Sequence, residues 1–325
     1  MKVLVTGANG FLAGYVIRNL TTSGYDTYGM LRQNSDRTNL KDLELKCIYG
    51  DLSHENDVRD AVKGKQVIIH TAALTSQSAS WGEYYGVNVR ASANVIDAAI
   101  KYGCKTIIYV STSNTIGYGS ENDPGYEGLG MPDAFKASRY AYSKYLAEGL
   151  FLEAAQSGKI NVVIVNPTFM LGYDPVGKSS GTIFRMYAKN KILFVPPGGR
   201  NFVHVKDVAM AICNAIESGE NGQRYLLANQ NLSYDAFFRR LESLTGLRKN
   251  VVRINTPLLM MAGYGGSFFS SLGIRVSLNR ENARILSIRK YYSAAKAVKN
   301  LNMPQTNIDV AITEGWRAVT ETMKL

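Results

Sequence analysis

The chain is poor in cysteine and histidine, with three of each among its 325 residues. The cysteines form no C-x-x-C pair and lie far apart, at Cys47, Cys104 and Cys213. This odd, scattered set predicts reduced thiols in a cytoplasmic protein and argues against a disulfide framework. The histidines have no metal-ligand spacing, and they are His54, His70 and His204. We therefore expect no metal site.

Acidic residues are scarce in one part of this basic chain, whose net charge is +11. From Arg253 to Lys299 there are eight Lys or Arg residues and a single acid, Glu281. No nucleic-acid-binding module accompanies this charge, so a small molecule is the expected partner. The uncharged stretch 256–274 contains four glycines and makes a poor membrane span. We interpret it as a flap over a substrate cleft, in preference to a segment attached to a membrane surface.

The amino-terminal residues carry a strand–turn–helix pattern. An apolar strand, residues 2–6, runs into a glycine turn and then a helix that ends near Thr22, which leaves no room for a signal peptide. Gly7 permits the tight turn, and Gly10 lets backbone N–H groups approach a pyrophosphate at the helix N-terminus. In the spacing G-x-x-G-x-x-A, Ala13 is small enough for close helix–strand packing. The pattern predicts a dinucleotide site.

A tyrosine and a lysine lie four positions apart in a predicted helix, 138–155, within the run Y-A-Y-S-K. Residues at i and i+4 share one helix face, so Tyr140 and Lys144 can approach the same point. The pKa of a free tyrosine is about 10, and a neighbouring ammonium lowers it. The spacing therefore suits Tyr140 to act as a general acid or base.

Strands and helices alternate through the first 165 residues with short connections, which predicts an α/β fold with a Rossmann-type doubly wound parallel sheet. Beyond Asn166 the regularity fades. We expect residues 1–166 plus about 202–224 to form the NAD(P)-binding domain. Residues 167–201 and about 225–325 are expected to form mainly a smaller substrate lobe.

Taken together, these motifs resemble the extended branch of the short-chain dehydrogenase/reductase family over almost the full length. Within it the chain is most similar to dihydroflavonol reductases, hydroxysteroid dehydrogenases and related NAD(P)-dependent epimerase-like proteins. The matching segments are TGANGF at 6–11, GDL at 50–52, HTAA at 70–73, NV at 88–89, VSTS at 110–113, YAYSK at 140–144, NPT at 166–168 and FVHVKDV at 202–208.

The resemblance implies a set of cofactor contacts. Asp51 and Leu52 would flank the adenine, and Ala72 and Ala73 would let the cofactor backbone lie close. The full set is Gly7, Asn9, Gly10, Phe11, Leu12, Arg32, Asp51, Leu52, Ala72, Ala73, Tyr140, Lys144, Pro167 and Met170. At the tip of the second strand there is no acid, and Arg32 can pair with a 2′-phosphate, helped by Ser35 or Arg37. This favours NADP over NAD.

The resemblance also implies the catalytic group Ser113, Tyr140 and Lys144. Ser113 would hydrogen-bond the substrate oxygen, although Ser111 and Thr112 offer neighbouring hydroxyls. Lys144 would bind the nicotinamide ribose. Asn88 has either a structural or a proton-relay role.

Three functions are compatible with these parts. The favoured one is an NADP-dependent oxidoreductase that interconverts a carbonyl and a secondary alcohol on a small, apolar, cyclic substrate. Aromatic and Met residues of the lobe suit such a substrate, among them Phe169, Met170, Tyr173, Phe184, Met186, Tyr187 and Phe194. The alternatives are a nucleotide-sugar epimerase or dehydratase, for which Arg200 stands where those enzymes contact a diphosphate, and a catalytically silent NADP-binding protein. Family members are often homodimers.

Overall fold

The computed structural model describes residues 1–76, 78–177, 181–271 and 278–324, with the backbone alone for 268–271. Its strands are short runs of residues bounded by turns or loops. They are β1 (Lys2–Thr6), β2 (Asp26–Leu31), β3 (Lys46–Tyr49), β4 (Val67–His70), β5 (Thr106–Val110), β6 (Asn161–Pro167), β7 (Phe169–Leu171), β8 (Ile192–Val195), β9 (Gly199–His204), β10 (Arg224–Leu227), β11 (Gln230–Ser233), β12 (Asn250–Arg253) and β13 (Arg289–Lys290).

The helices of the described residues vary from single turns to four or five turns. They are α1 (Phe11–Thr22), α2 (Glu55–Val62), α3 (Trp81–Tyr84), α4 (Ala91–Lys101), α5 (Asp133–Lys136), α6 (Arg139–Gln156), α7 (Gly181–Lys189), α8 (Val205–Ser218), α9 (Tyr234–Thr245), α10 (Thr256–Ser271), α11 (Arg280–Ser287), α12 (Ala295–Leu301) and α13 (Ile308–Met323). A π-helical segment, Tyr85–Arg90, joins α3 to α4. None of these helices is long and apolar enough to cross a membrane.

Seven parallel strands form the central sheet in the order β3-β2-β1-β4-β5-β6-β10. The middle strands are apolar on both faces because both faces are covered by helices. On one face α1, α8 and α12 close a core, and on the other α2, α4 and α6 close a second. This confirms the predicted Rossmann-type doubly wound sheet. The strand order reverses between β1 and β4, which opens a crevice at their carboxyl ends.

A second, smaller sheet lies beyond β6. Strand β9 lies between β11 and β13, and β7 pairs with its last residues, 202–204. An aromatic core packs beneath it, in which the Phe202 and Phe237 rings stack with centroids 4.5 Å apart. Strands β8 and β12 form a separate parallel pair.

Two segments near the predicted division contact both parts of the chain. Residues 202–204 lie in β9 of the smaller sheet, but Val203 also belongs to the core that α1 and α8 close on the central sheet. Conversely, β10 and α12 belong to the central sheet and its core, although residues beyond about 225 were assigned mainly to the lobe. Short strands and seven-residue helices carry too little periodicity to be placed from sequence. The domain division itself stays a prediction.

His70 ends β4 inside the core, where it is fully buried. Its Nδ1 lies 2.8 Å from Thr6 Oγ1 and its Nε2 lies 3.0 Å from Ser92 Oγ. Burial, and secondarily the Lys144 charge, lowers the pKa of His70 to about 3. The imidazole is therefore neutral in the folded protein and serves the packing of the sheet edge, as expected of a structural histidine.

His70 should make folding sensitive to acid. Its pKa is about 3 when folded and about 6.5 when unfolded, so the unfolded chain binds the extra proton as pH falls from 6.5 toward 3. The free energy of unfolding should drop by about 2–3 kcal/mol from this group between pH 7 and pH 4.5. Urea titrations at both pH values should show that His70→Asn has a correspondingly smaller drop. An equal drop in both proteins would contradict this account.

Candidate active site

The carboxyl ends of β1, β4, β5 and β6 meet at one edge of the central sheet, and most of the predicted site residues follow these strands. Gly7 follows β1, Ala72 follows β4, and Ser113 follows β5. Helix α6 brings Tyr140 and Lys144 to the same edge. Parallel strands end together, so residues far apart in sequence become neighbours here.

The turn after β1 has the geometry of a phosphate-binding loop. Gly7 has φ +64°, and a Cβ built there would lie 2.8 Å from the Ala72 Cα. Only glycine fits this close approach. Gly10 N donates to Gly7 O at 2.9 Å and Gly10 caps α1, while the small, buried Ala13 packs in the core. The N-terminus of α1 is thereby open to an anion such as a pyrophosphate.

A polar cavity of about 750 Å³ lies beside this turn, between the ends of β2 and β3. Asn9, Arg32, Ser35 and Asp51 line it, and Arg32 is exposed there. The Asp51 carboxylate accepts from the backbone N of Ser53 at 2.8 Å; this bond, and secondarily the Arg32 charge, lowers the pKa of Asp51. The cavity has the size and polarity for the adenosine half of a dinucleotide. The donor set of the turn and cavity therefore fits NAD(P).

The remaining predicted cofactor residues surround the same crevice. Phe11 and Leu12 begin α1, Ala73 follows Ala72, and Leu52 is partly buried behind Asp51. Pro167 ends β6, and Met170 on β7 pairs with Val203 on β9. Their contact with a cofactor stays a prediction.

The Tyr140 phenol lies at the head of α6, beside the Tyr84 ring. Burial raises its pKa to about 12, although a hydrogen bond with the Thr112 side chain opposes the rise. The sequence argument that Lys144 lowers this pKa is therefore wrong for the structure described. Lys144 is not among the groups that act on the phenol, and its ammonium donates to the Val110 carbonyl instead.

Lys144 is 1% exposed. Its Nζ donates to the Val110 carbonyl at 2.8 Å and lies 4.2 Å from the centre of the Tyr109 ring. Burial lowers the pKa of Lys144 to about 7, and the nearby Glu148 carboxylate acts in the opposite direction. The side chain is held one helical turn from Tyr140 and changes charge near neutral pH.

The three hydroxyls after β5 have different partners. Ser111 Oγ donates to Glu148 at 2.6 Å, whereas the Thr112 side chain is the one hydrogen-bonded with Tyr140. Ser113 begins a 3₁₀ turn, and its carbonyl accepts from Tyr292 Oη at 3.1 Å. Ser113 was predicted to hydrogen-bond the substrate oxygen beside Tyr140, with Thr112 as a substitute, and that role stays a prediction. The structure places Thr112 beside the phenol.

Sequence reasoning missed Glu148, which is 2% exposed on α6. Its Oε2 accepts from Ser111 Oγ at 2.6 Å, Thr115 Oγ1 at 2.9 Å and Asn166 Nδ2 at 3.1 Å. Its Oε1 lies 3.3 Å from Arg224 Nη1 on β10. The spacing Y-x-x-x-K-x-x-x-E is the signal that could have found it, because i, i+4 and i+8 lie near one helix face.

Asn88 makes three side-chain hydrogen bonds in the described protein. Its side chain exchanges hydrogen bonds with the Leu74 backbone, at 2.7 Å from Leu74 N and 3.2 Å to Leu74 O. A third bond, Nδ2 to Ser143 Oγ at 2.9 Å, ties the π-helical segment to α6. These contacts join the loop after β4 to the catalytic helix.

A phosphate turn, a nucleotide-sized cavity and a tyrosine one helical turn from a buried lysine, all at one sheet edge, define a dinucleotide-dependent oxidoreductase. Residues 3–228 match the model of the NAD dependent epimerase/dehydratase family. The chain belongs to this family, within the extended short-chain dehydrogenases/reductases, and it is an NAD(P)-dependent enzyme.

The chain is similar to known proteins along almost its full length, as two relatives and one solved structure show. The chain is 30% identical to the Synechocystis sp. protein named "Putative dihydroflavonol 4-reductase", over 95% of this chain and 92% of that one. It is 26% identical to sterol demethylase protein B of Methylococcus capsulatus, over 97% of each. The crystal structure of gox2253 superimposes with a TM-score of 0.87 at 26% identity, covering 99% of this chain and 98% of that one.

Glu148 should control the charge of Lys144. Because its carboxylate raises the pKa of Lys144, Glu148→Gln should make Lys144 lose its proton at lower pH. We expect NADH affinity, measured by fluorescence from pH 5 to 9, to weaken as pH rises through the Lys144 pKa. The midpoint should move to lower pH in Glu148→Gln. NADH is the probe because it carries no phosphate monoester that titrates in this range.

The matched control is Glu153→Gln, an exposed glutamate on the same helix, which should keep the wild-type midpoint. Uniformly weaker binding in Glu148→Gln without a shifted midpoint would show that Glu148 acts only through structure.

Proposed function

We propose that the protein is an NADP-dependent reductase that converts a carbonyl to a secondary alcohol on a small, apolar, cyclic substrate. The observation that carries this is the Tyr140 phenol. With a pKa of about 12 it holds its proton at neutral pH, beside the Thr112 hydroxyl. A protonated phenol in this position is a general acid, which the reductive direction requires.

The cofactor would supply the hydride for the reduction, and the side chains of the protein supply the proton. A bound nicotinamide supplies the hydride to the carbonyl carbon. Tyr140 Oη donates its proton to the carbonyl oxygen, so the product is a neutral alcohol and the phenol becomes a phenolate. Thr112 hydrogen-bonds with that oxygen atom of Tyr140. The phenolate is restored by a proton from solvent.

Lys144 assists from one turn further along α6. Below pH of about 7 its ammonium adds a positive charge close to the developing phenolate. The same ammonium has the position to bind the nicotinamide ribose, as the family resemblance implies. Ser113, with its 3₁₀ turn, positions the substrate oxygen beside Thr112.

Arg32 supports the choice of NADP. It is exposed in the adenosine cavity, where a guanidinium can pair with a 2′-phosphate. The acid nearest in sequence, Asp36, is engaged by Thr38, whose N and Oγ1 donate to it at 3.0 and 2.7 Å. Arg37 donates to Tyr49 Oη at 3.2 Å, so Arg32 is the better placed of the two arginines.

Aromatic rings near Ser113 support an apolar substrate. Tyr292 contacts the Ser113 carbonyl, and Tyr118 and Phe135 pack together with ring centroids 5.9 Å apart. Two of the lobe residues expected to face the substrate do not, since Phe184 and Tyr187 are buried in the core of the smaller sheet. Phe169 is only partly buried and remains a candidate.

The second candidate is a nucleotide-sugar epimerase or dehydratase, favoured by Arg200. Its Nε is buried without a hydrogen-bond partner in the described structure. Net consumption of NADPH with an apolar ketone supports the reductase. Isomerisation of a nucleotide sugar without net change in cofactor would support the epimerase. If the protein binds NADPH but shows neither activity, it is a catalytically silent NADP-binding protein.

A homodimer stays a prediction. The exposed rings of Trp81, Tyr85, Tyr142 and Tyr145 form a contiguous surface on α3, the π-helical segment and α6, which a second copy of the chain can cover.

Tyr140→Phe should abolish nearly all turnover, because the proton donor is lost, while NADPH affinity stays within a few-fold. Steady-state kinetics and fluorescence titration measure the two quantities. Tyr145→Phe, an exposed tyrosine on the same helix, is the control and should keep wild-type turnover. Lys144→Met should reduce both turnover and affinity. Substantial turnover in Tyr140→Phe would refute the mechanism.

Arg32→Glu should weaken NADPH far more than NADH, because only NADPH has the 2′-phosphate. The loss of one charge-assisted pair, about 2 kcal/mol, corresponds to roughly 30-fold in Kd. Calorimetric titration with both cofactors gives the ratio. Arg59→Glu, on α2 and paired with Glu55, should leave the ratio as in the wild type. Equal losses for NADPH and NADH in Arg32→Glu would remove the basis for NADP preference.

A further inference from the structure

Two cations lie side by side on the smaller sheet. Lys290 on β13 is the direct neighbour of Arg200 on β9 in parallel register. In such a pair both side chains leave the same face of the sheet. Lys290 is 6% exposed, and Arg200 is partly buried.

No counter-charge accompanies this pair within the described residues. Neither cation takes part in an ion pair or a side-chain hydrogen bond there, and Arg200 Nε is buried without a partner. Aromatic faces surround them instead. The Arg200 guanidinium lies 4.3 Å from the centre of the Phe169 ring, and Lys290 Nζ lies 5.4 Å from that of Phe135.

The pair lies close to the reacting end of the cleft. Tyr292, two residues after Lys290, donates through Oη to the Ser113 carbonyl at 3.1 Å. Burial raises the pKa of Tyr292, and Arg200 is among the charges that act on it. Tyr292 therefore connects the cations to the turn that follows β5. A substrate whose carbonyl meets Tyr140 can extend toward them.

A buried lysine beside a partly buried arginine, with no anion near either among the described residues, is unfavourable in the free protein. Burial, and secondarily the Arg200 charge, holds the pKa of Lys290 well below its usual value. The attraction of a cation to an aromatic ring is smaller than the cost of removing the charge from water. Methionine at position 290 would pack against Phe135 without that cost. The arrangement makes physical sense if a ligand supplies the anion.

We propose that Arg200 and Lys290 bind a carboxylate carried by the apolar carbonyl substrate, so that the enzyme acts on ketone acids. This rests on the proposed reductase function and specifies its substrate class. The planar guanidinium and the adjacent ammonium match the two oxygens of one carboxylate. The aromatic rings around the cations suit the apolar body of such an acid better than the hydroxyl-rich sugar ring of a nucleotide sugar.

Binding is tested separately from turnover. Calorimetry on protein saturated with NADP⁺ compares two acids of different size, 4-acetylbenzoate and 3-oxo-5β-cholanate, each with its methyl ester. At least one acid should bind about tenfold more tightly than its ester, since esterification removes the charge. In Lys290→Met and in Arg200→Met this ratio should fall toward one. Thermal unfolding of both variants checks that they remain folded.

The control is Lys249→Met, which removes a lysine of the same lobe that also lies over an aromatic ring, at 5.1 Å from the centre of Tyr187. It should keep the wild-type ratio of acid to ester affinity. Equal affinity for acid and ester in both pairs, or a ratio that survives Lys290→Met, overturns the proposal. Tight binding of UDP-glucose that depends on Lys290 overturns it too, because the anion would then be a diphosphate.

Turnover of the same compounds separates this inference from the proposed function. If acids bind through Lys290 but no ketone is reduced by NADPH, the carboxylate site stands and the reductase function fails. If acids and esters are reduced with equal kcat/KM, the reductase stands and the carboxylate site fails.

Discussion

The buried Glu148 carboxylate is the interaction on which the active site depends. It accepts hydrogen bonds from the ends of β5 and β6, through Ser111 and Asn166, and pairs with Arg224 on β10. A charge buried this deeply is tolerated only when its oxygens are satisfied and an opposite charge is near. These contacts fix the rotation of α6 about its own axis and its position along β5, β6 and β10. Tyr140 and Lys144, two and one turns earlier on the same helix, are placed by that constraint.

Burial shifts the pKa values of Tyr140 and Lys144 in opposite directions. Desolvation disfavours whichever form is charged, so it raises the pKa of the Tyr140 phenol to about 12 and lowers that of the Lys144 ammonium to about 7. The phenol keeps its proton at neutral pH and the lysine is poised to lose one. The Glu148 carboxylate limits the second effect. One network thus holds the geometry of the site and adjusts the charge of its lysine.

The strongest local patterns were predicted well from the sequence. Gly7 has a positive φ and lies against Ala72, where no side chain would fit. A glycine in the turn after a predicted strand is enough to indicate both features from the sequence. The helix that follows the glycine turn has a clear apolar face, and the sequence placed its end at Thr22, as observed. Short elements were placed poorly, because four residues of β10 or seven of α12 hold less than two periods of either pattern. The flap predicted at 256–274 stays a prediction; its helical part is α10, and residues 272–274 lie outside the described residues.

The sequence by itself determined the doubly wound fold, the glycine turn and the position of Tyr140 one helical turn before Lys144, because each depends on local periodicity or fixed spacing. Tertiary structure alone decided which hydroxyl meets the phenol, since Ser111, Thr112 and Ser113 are equivalent candidates in one dimension. It also decided the direction of the pKa shift of Tyr140, which reflects burial by distant segments. The meeting of Arg200 and Lys290, ninety positions apart, required strand pairing. Such long-range contacts have no local signature, because only the closed sheet brings their residues together.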